Sequence, residues 1–357
     1  MRYAIVMAGG SGERFFPLSR QRRPKQLLPL LGDGTTLLEH TIRRCIRVVP
    51  AENVLVITSP LLRDTIAEML AATLPAENIV AEPAKRNTAG CLVLGASLIA
   101  LRDRDAVVAA LPADHYIGDD ELFAEQLASA LDFAASHELI VTFGMNPTRP
   151  ETGYGYIEIG EPIADGFYRV VSFREKPDSA TAQRFVEAGR FLWNGGMFVY
   201  RADVFARQLQ LYAPEFGAAL APLTAALAHG DRAEVSGLFG ALPNISIDYA
   251  LMERTPAIAV ARARFPWDDL GAWDALERIA RLDEHGNVTI GTTVALDSTD
   301  TTLANYAERP MLLCALGVEG IVAVVTDDVV MLCRRDNVQQ VRRIVEHLRS
   351  NGQEQWL

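Results

Sequence analysis

The feature that most constrains the fold is a regular alternation of short apolar runs with segments of helical periodicity. Apolar residues in the helical segments recur about every three to four positions, whereas the apolar runs are nearly continuous. Continuous apolar strands that alternate with helices are typical of a parallel sheet covered on both faces. We therefore predict an α/β fold with a Rossmann-like, mostly parallel sheet and flanking helices. Strand-like and helical segments follow one another at 3–7, 37–48, 54–58, 61–74, 90–101, 106–111, 122–136 and 139–143.

The pattern changes after the first 285 residues. Val288–Leu303 is rich in threonine and β-branched residues and has little helical character, and further strand-like runs follow it. Asp336 then stands where an N-cap would begin a last helix, whose apolar face starts at Val341. We therefore predict two domains, one over 1–285 and a smaller one over 286–357 that is β-rich and ends in a helix.

Composition and charge exclude several classes of protein. Of the 357 residues 49% are hydrophobic, so the chain can bury a sizeable core and is not mainly disordered. The formal net charge is −11, whereas a protein that binds duplex nucleic acid needs a broad basic face. No apolar run approaches the roughly 18 residues of a membrane span, and the first run is too short for a signal peptide. The four cysteines lack CxxC or metal-ligand spacing, so we expect a cytoplasmic protein that binds neither nucleic acid nor membrane.

A glycine-rich turn follows the first predicted strand, with the sequence Met-Ala-Gly-Gly-Ser-Gly at 7–12. Backbone amides of glycine can approach a phosphate closely because no Cβ intervenes, and Arg14 and Lys25 add cations. A dinucleotide-binding fingerprint would require glycine where Phe15 stands, and a P-loop would require Gly-Lys-Ser/Thr. The pattern therefore predicts a phosphate-binding turn of another kind.

With this turn the chain resembles the sugar-1-phosphate nucleotidylyltransferase family, and within it the bacterial mannose-1-phosphate guanylyltransferases. The turn departs from the commonest form of the family at Glu13 and Phe16, where threonine and tryptophan are frequent. The resemblance continues along nearly the whole chain, through 81–83 (Ala-Glu-Pro), 86–89 (Arg-Asn-Thr-Ala), 111–115 (Leu-Pro-Ala-Asp-His), 151–157 (Glu-Thr-Gly-Tyr-Gly-Tyr-Ile), 173–177 (Phe-Arg-Glu-Lys-Pro), 193–198 (Trp-Asn-Gly-Gly-Met-Phe), 246–250 (Ser-Ile-Asp-Tyr-Ala) and 267–271 (Trp-Asp-Asp-Leu-Gly).

The resemblance implies an enzyme that transfers a guanylyl group from GTP to α-D-mannose 1-phosphate and releases GDP-mannose and pyrophosphate. A sugar phosphate is already an anionic nucleophile near neutral pH, so catalysis needs alignment and charge neutralisation rather than a general base. Two alternatives stay open: a transferase for another sugar 1-phosphate or nucleotide, and a catalytically silent regulatory subunit that binds sugar nucleotide. The resemblance also implies a short left-handed β-helix in the C-terminal domain and a possible homodimer. Because the sequence lacks the His/Glu metal cluster of the isomerase domain fused to many relatives, we expect no isomerase activity.

Two carboxylates are candidates for holding Mg²⁺, which prefers one or two carboxylates together with phosphate oxygens and waters. Asp114 directly follows a predicted buried strand, and Asp269 lies in a turn after Trp267. The resemblance implies that this pair holds the metal against the α-phosphate. Asp268 is a neighbouring competitor, and Asp269 is preferred because it directly precedes Leu270-Gly271.

The resemblance implies three groups of site residues, and some members also have simpler explanations. Asn87 and Thr88 could also cap the following helix, Lys176 could form a mere surface ion pair with Glu175, and His115 is expected to be structural rather than a base. The implied catalytic residues are Arg14, Lys25, Asp114 and Lys176. The implied nucleotide-binding residues are Ala8, Gly9, Gly10, Ser11, Gly12, Glu82, Pro83, Asn87 and Thr88. The implied sugar-phosphate-binding residues are Gly153, Glu175, Lys176, Asn194 and Asp248.

Overall fold

The predicted alternation of strands and helices is present in the computed structural model, which describes residues 1–357. The strands are β1 (Arg2–Ala8), β2 (Val54–Thr58), β3 (Ile79–Ala81), β4 (Val107–Pro112), β5 (Tyr116–Ile117), β6 (Ile140–Met145), β7 (Tyr156–Ala164), β8 (Phe167–Arg174), β9 (Phe191–Arg201), β10 (Ile258–Arg262), β11 (Trp267–Asp268), β12 (Val288–Ile290), β13 (Thr293–Leu296), β14 (Thr302–Asn305), β15 (Leu313–Leu316), β16 (Ile321–Val325) and β17 (Val330–Arg334). The helices are α1 (Leu37–Cys45), α2 (Arg63–Met69), α3 (Asn87–Arg102), α4 (Asp120–Ser136), α5 (Ser179–Ala188), α6 (Ala202–Tyr212), α7 (Pro214–His229), α8 (Arg232–Gly240), α9 (Ala275–Ile279) and α10 (Arg342–Ser350).

The first of two compact units comprises residues 1–9, 41–112 and 117–266 and contains a nine-stranded sheet. Its strand order is β3-β2-β1-β4-β9-β6-β10-β8-β7. The strands β3, β2, β1 and β4 pair in parallel, as do β6 and β10, whereas β9 runs antiparallel to both of its neighbours. The predicted Rossmann-like, mostly parallel sheet is therefore confirmed, and β7 and β8 extend it as an antiparallel pair.

Helix α3 packs closely against the parallel half of this sheet. Every residue from Ala89 to Gly95 is buried, which explains why this helix is apolar on all sides. A Cβ at Gly95 would lie 2.5 Å from Cδ1 of Ile5, so glycine lets the helix approach β1. The close contact holds α3 against the strands β1 and β2.

The second compact unit comprises residues 10–40, 113–116 and 267–357. Its strands form a four-stranded sheet in the order β12-β14-β16-β17 and a pair of β13 with β15. All of these pairings except β16–β17 are parallel, and Thr293 pairs with Leu313 one coil further along the chain. The predicted β-rich C-terminal region with a last helix is confirmed. The predicted domain boundary between residues 285 and 286 stays a prediction.

The core of the second unit joins the segment after the glycine-rich turn to the C-terminal strands. Phe15 and Trp273 are completely buried, and their ring centroids are 5.1 Å apart. The indole nitrogen of Trp273 donates a hydrogen bond of 3.0 Å to the carbonyl of Phe16. Apolar residues of β12, β14, β16 and α10 complete the same cluster. The segment that begins at Phe15 is thus packed onto the C-terminal strands by a shared hydrophobic core.

The start of the last helix differs from the prediction. Residues Arg335–Gln340 form a 3₁₀ segment, and α10 begins only at Arg342 without a side-chain cap. The predicted N-cap, Asp336, is wrong because its carboxylate accepts hydrogen bonds of 3.2 Å from the Arg334 guanidinium. A local ion pair has therefore replaced the cap. None of the helices is both long enough and apolar enough to cross a membrane.

Candidate active site

The glycine-rich turn has one position that requires glycine. Gly12 has a φ of 60°, and a Cβ at this residue would lie 2.8 Å from the backbone nitrogen of Lys25. Its carbonyl accepts hydrogen bonds from the Ser19 hydroxyl (2.8 Å) and the Phe15 amide (2.9 Å). The turn is therefore packed directly against the segment that carries Lys25.

Lys25 and Asp114 form an ion pair in the second unit, in which the lysine is buried and the aspartate is partly exposed. The Lys25 side chain is 8% exposed, and its Nζ lies 2.9 Å from Oδ2 of Asp114. The same ammonium also donates to the backbone carbonyl of Asp269. Burial alone would raise the pKa of Asp114, but the Lys25 ammonium lowers it below its ordinary value. Asp114 is therefore a carboxylate near neutral pH, as a metal ligand must be.

The neighbouring acids Asp268 and Asp269 have different environments. Asp268 is buried and accepts two hydrogen bonds from the Arg278 guanidinium, of 2.5 and 2.9 Å, and a third from the Leu270 amide. The Asp269 carboxylate instead lies beside Gly271, whose added Cβ would be 3.4 Å from both carboxylate oxygens. Asp268 could bind a metal ion only by giving up these hydrogen bonds, and the choice of Asp269 as the ligand stays a prediction.

His115 lies next to Asp114 and contacts Trp267. The Trp267 indole nitrogen donates a hydrogen bond of 3.1 Å to Nδ1 of His115, and the two rings meet edge to face. A nitrogen that accepts a hydrogen bond carries no proton, and burial lowers the pKa of this imidazole. His115 is therefore neutral, which supports the expectation of a structural role.

The residues at this site fit Mg²⁺ better than a metal ion whose ligands all come from the protein. No group of three or more His, Cys, Asp or Glu side chains is placed to hold a metal ion. Asp114 and the backbone of Asp269 contact the same ammonium, so the two candidate ligands come from neighbouring turns. Arg14 is exposed, with Nη1 3.5 Å from the carbonyl of Gly271. A site with few carboxylates and nearby cations suits a metal that takes its other ligands from phosphate and water.

The first unit holds the residues expected to bind the base, at the carboxyl ends of its strands. The Glu82 amide donates to the Thr58 carbonyl (2.8 Å), and the Thr58 hydroxyl donates to the Ala8 carbonyl (2.9 Å). A Cβ at Gly9 would lie 3.9 Å from Oε2 of Glu82, so the two residues are neighbours. Burial raises the pKa of Glu82 to about 7, although a hydrogen bond with Cys91 partly opposes this.

Asn87 and Thr88 begin helix α3. Asn87 has a φ of 57°, and its Oδ1 accepts a hydrogen bond of 2.8 Å from the Thr88 amide. The Thr88 hydroxyl accepts a hydrogen bond of 2.9 Å from the amide of Ile247, which immediately precedes Asp248. Thr88 therefore links the start of α3 to the segment that carries a predicted sugar-binding carboxylate. Pro83 lies in the loop before them and is partly exposed.

Asn194 and Asp248, two predicted sugar-binding residues, are joined by a direct hydrogen bond. The Asn194 Nδ2 donates to Oδ1 of Asp248 at 2.9 Å. Its Oδ1 accepts from the Thr142 hydroxyl (3.0 Å) and the Gly196 amide (3.1 Å). These contacts fix the orientation of the amide. Burial raises the pKa of Asp248, and the hydrogen bond from Asn194 partly offsets that effect.

Glu175 and Lys176 form an ion pair of which only the lysine is exposed. Lys176 Nζ lies 3.1 Å from Oε1 of Glu175, with side chains 57% and 8% exposed respectively. Burial and the nearby Asp248 raise the pKa of Glu175. Its other oxygen, Oε2, is buried without a hydrogen-bond partner. A buried orphan acceptor distinguishes this pair from an ordinary surface salt bridge and is suited to a ligand hydroxyl.

Three residues beside the predicted site were missed in the sequence. Thr142 and Glu253 hold predicted residues in place, since Glu253 accepts a hydrogen bond of 2.8 Å from the Glu175 amide. A Cβ at Gly155 would overlap Oε2 of Glu175, so this glycine makes room for that carboxylate. Its position in the Gly-Tyr-Gly-Tyr motif could have indicated that Gly155 belongs to the site.

Not every predicted residue has a visible role. The Gly153 amide donates only to the local Glu151 carboxylate, at 3.0 Å, and Gly10 and Ser11 are exposed in the turn. Their assignment to substrate binding stays a prediction.

Comparison with family models divides the chain into two matched regions. Residues 3–286 match the nucleotidyl transferase model. Residues 291–348 match the model of the MannoseP isomerase/GMP-like beta-helix domain. The second match agrees with the stacked parallel strands of the C-terminal region.

Named relatives match over nearly the full length of this chain. The Salmonella muenchen protein named mannose-1-phosphate guanylyltransferase is 36% identical over 98% of this chain and 73% of its own length. The alginate biosynthesis protein AlgA of Pseudomonas aeruginosa is 36% identical over 98% and 72%. A crystal structure from Thermus thermophilus, described as a mannose-1-phosphate geranyltransferase, is 39% identical with a TM-score of 0.88, covering 98% of this chain and 99% of that one. The chain therefore belongs to the nucleotidyl transferase family, in the branch that carries the MannoseP isomerase/GMP-like β-helix domain.

Proposed function

We propose that this protein is a mannose-1-phosphate guanylyltransferase, which converts GTP and α-D-mannose 1-phosphate into GDP-mannose and pyrophosphate. The observation that carries the proposal is the similarity along 98% of the chain to a protein named for this activity. The charged residues expected of such an enzyme are all present, and those of the second unit include a buried Lys25–Asp114 pair.

The proposed reaction is an in-line displacement at the α-phosphorus of GTP. An oxygen of the sugar phosphate attacks, and the bond to the pyrophosphate leaving group breaks. Lys176, whose ammonium is exposed, orients the attacking phosphate. Arg14 and Lys25 neutralise the charge that develops on pyrophosphate, with the amides of the glycine-rich turn as further donors.

Asp114 and Asp269 are the residues that would hold Mg²⁺ in this proposal. A bound Mg²⁺ neutralises charge on the transferring phosphoryl group. The protein's own contribution is to keep Asp114 ionised despite its burial, which the Lys25 ammonium achieves by lowering the pKa of that carboxyl.

The residues of the first unit are proposed to select the nucleoside and the sugar. Guanine presents N–H donors at N1 and N2, which suit the Glu82 carboxylate next to Gly9. Mannose presents hydroxyls, which suit the orphan Oε2 of Glu175 and the remaining oxygen of Asp248. Asn194 is proposed to hold Asp248 in position.

A panel of substrates tests this function directly. Pyrophosphate release is measured for GTP, ATP, UTP and dTTP, each with mannose, glucose and fucose 1-phosphates. We expect GTP with mannose 1-phosphate to give the highest kcat/KM. A tenfold advantage for UTP or dTTP with glucose 1-phosphate would establish a transferase of different specificity. Binding without release from any pair would establish the regulatory subunit.

We also propose that the protein forms a homodimer through its C-terminal strands. Apolar side chains of β13 and β15 face solvent in matching register, since Val294 pairs with Cys314 and Leu296 with Leu316. Contiguous apolar patches on soluble proteins commonly mark contact surfaces. Light scattering should give twice the chain mass for the wild type and a lower mass for Leu316→Asp. A monomeric wild type contradicts the dimer.

We propose that the protein is located in the cytoplasm. All four cysteines are free thiols in the structure, as is usual in a reducing compartment. Fractionation of cells that produce the protein should recover it with cytoplasmic markers, and recovery with the membrane fraction contradicts the proposal.

A further inference from the structure

The glycine-rich turn is tied to the C-terminal part of the chain by side chains that no motif predicts. Glu13 lies one residue before Arg14, and its carboxylate forms an ion pair of 2.9 Å with Arg349 of helix α10. Arg20, eight residues after the last glycine of the turn, forms an ion pair of 2.8 Å with Asp328 in the loop between β16 and β17. The segment 13–20, which directly follows the turn, is therefore held at both ends by residues more than 300 positions away in sequence.

Arg20 serves this connection rather than standing free for an anion. Its Nε donates 2.6 Å to the Pro17 carbonyl, Nη1 donates to the Trp356 carbonyl, and Nη2 bonds Asp328. The guanidinium also lies 5.3 Å from the centroid of the Phe16 ring. With each nitrogen of its guanidinium engaged, Arg20 differs from Arg14, which is exposed.

Both ion pairs border a small pocket at the surface. A cavity of about 40 Å³ lies between the turn and the C-terminal helix, lined by Ser11, Phe16 and Ser19 on one side and by Val345 and Leu357 on the other. Glu13, Arg20 and Arg349 also border it. The ion pairs at the rim of this pocket therefore add polar contacts to the apolar core that Phe15 and Phe16 form with the C-terminal strands.

We propose that Arg349 and Asp328 are positioning residues for the phosphate-binding turn, acting through Glu13 and Arg20. The inference rests on the proposed function, because it assigns the turn to the phosphates of GTP. Fixing a flexible turn costs conformational entropy, and a turn that is already fixed avoids that cost when the ligand binds. The connection therefore favours GTP binding and leaves mannose 1-phosphate binding unaffected.

The Glu13–Arg349 pair is tested by direct binding of GTP, measured by titration calorimetry. Because exposed ion pairs contribute little, we expect Arg349→Ala to raise the Kd of GTP about fourfold. Arg343→Ala is the matched control, since Arg343 lies on the same helix but bonds only Gln340. The exchange Glu13→Arg with Arg349→Glu should return Kd to within about twofold of wild type, because it restores the pair with reversed charges.

The Arg20–Asp328 pair is tested in the same assay. Asp328→Asn should raise the Kd of GTP by about the same factor. Asp327→Asn is its control, because Asp327 accepts only the amides of Glu308 and Arg309. In both tests the KM for mannose 1-phosphate should stay at the wild-type value.

The outcomes separate this inference from the proposed function. Equal Kd values for Arg349→Ala and Arg343→Ala, or a melting temperature that falls while Kd is unchanged, would overturn the positioning role. A wild type that binds another nucleoside triphosphate contradicts only the proposed function, and the variants are then compared with that nucleotide. A wild type that binds no nucleoside triphosphate overturns both.

Discussion

Partly buried carboxyl groups in the two compact units have pKa values that are shifted in opposite directions. In the second unit the Lys25 ammonium lowers the pKa of Asp114 despite burial. In the first unit burial raises the pKa values of Glu82, Glu175 and Asp248, and no cation compensates fully. The difference shows that carboxyl side chains can serve two tasks, depending on the charges that surround them. A carboxylate kept charged by lysine suits a metal ion and phosphates, whereas desolvated carboxyls gain most from the N–H and O–H donors of a ligand.

The largest effect expected from this comparison is at Asp114. Asp114→Asn removes a negative metal ligand but keeps a carbonyl oxygen that can accept from Lys25. We expect kcat to fall about 100-fold or more. The measurement is pyrophosphate release at saturating substrates, together with thermal unfolding to verify that the variant is folded.

Substitutions at Asp269 and Asp268 provide the control for the Asp114 prediction. Asp269→Asn should resemble Asp114→Asn in kcat. Asp268→Asn should instead lower the melting temperature, because it breaks a buried pair with Arg278. A severe loss of kcat in Asp268→Asn with normal stability, combined with a mild Asp269→Asn, would reverse the assignment of the ligand.

The lysines give the next largest effect. Lysine occurs only at Lys25, Lys85 and Lys176, and the other 31 of the 34 basic residues are arginine. Lys25 is buried against Asp114 and the carbonyl of Asp269, where a wide planar guanidinium does not fit. We expect Lys25→Arg to reduce kcat/KM for GTP at least about tenfold, about 1.4 kcal/mol of transition-state stabilisation.

Lys176→Arg tests whether lysine is required only where the side chain is buried, or also where an exposed side chain contacts the ligand. Lys176 is 57% exposed, so burial does not restrict the size of the side chain there. A loss of about tenfold in kcat/KM for mannose 1-phosphate would therefore come from the fit to the sugar phosphate alone. Near-wild-type kinetics for both Lys25→Arg and Lys176→Arg would make the lysine pattern a coincidence.

Much of the fold could be predicted because buried parallel strands are apolar along their whole length. The run at 54–58 is the strand β2 residue for residue, since every side chain in it is buried. The start of α10 could not be predicted in this way. Asp336 has the composition of an N-cap, but the strand before it ends at Arg334, which binds its carboxylate.

The partners of the site residues were harder to predict than the residues themselves. Asn194 could be proposed from its motif, whereas its contact with Thr142 depends on the antiparallel pairing of β9 with β6. That pairing joins strands 52 residues apart and has no local signal. The Glu13–Arg349 pair could not be predicted for the same reason, since the sequence around each residue does not indicate a contact with the other.

A smaller effect is expected in the pH dependence of GTP binding. The pKa of Glu82 is raised to about 7, whereas guanine donors favour its ionised form. GTP binding should therefore release protons, and affinity should rise between about pH 6 and pH 8. Calorimetry in buffers of different ionisation enthalpy measures the release, and Glu82→Gln should flatten this part of the profile.

The Glu82 carboxyl group also makes the folded protein less stable as the pH rises. Between its ordinary pKa and the raised value, the folded state binds more protons than the unfolded state, so unfolding becomes easier with increasing pH. Thermal unfolding without nucleotide should show this slope between about pH 4.5 and about pH 7 in the wild type. Glu82→Gln should reduce it, and an identical slope in both proteins would assign the effect to another group.

The smallest effect is expected at Lys85, the third lysine of the chain. Lys85 is exposed, and its side chain forms no hydrogen bond or ion pair in the structure. Lys85→Arg keeps the charge and meets no steric obstacle, so kcat/KM for GTP should change less than about threefold. Steady-state kinetics on this variant beside Lys25→Arg decide what the rarity of lysine means. If Lys85→Arg is as damaging as Lys25→Arg, burial against Asp114 is not the reason for lysine at position 25. A mild Lys85→Arg beside a severe Lys25→Arg instead identifies the buried ion pair as the requirement, because the two substitutions differ only in their surroundings.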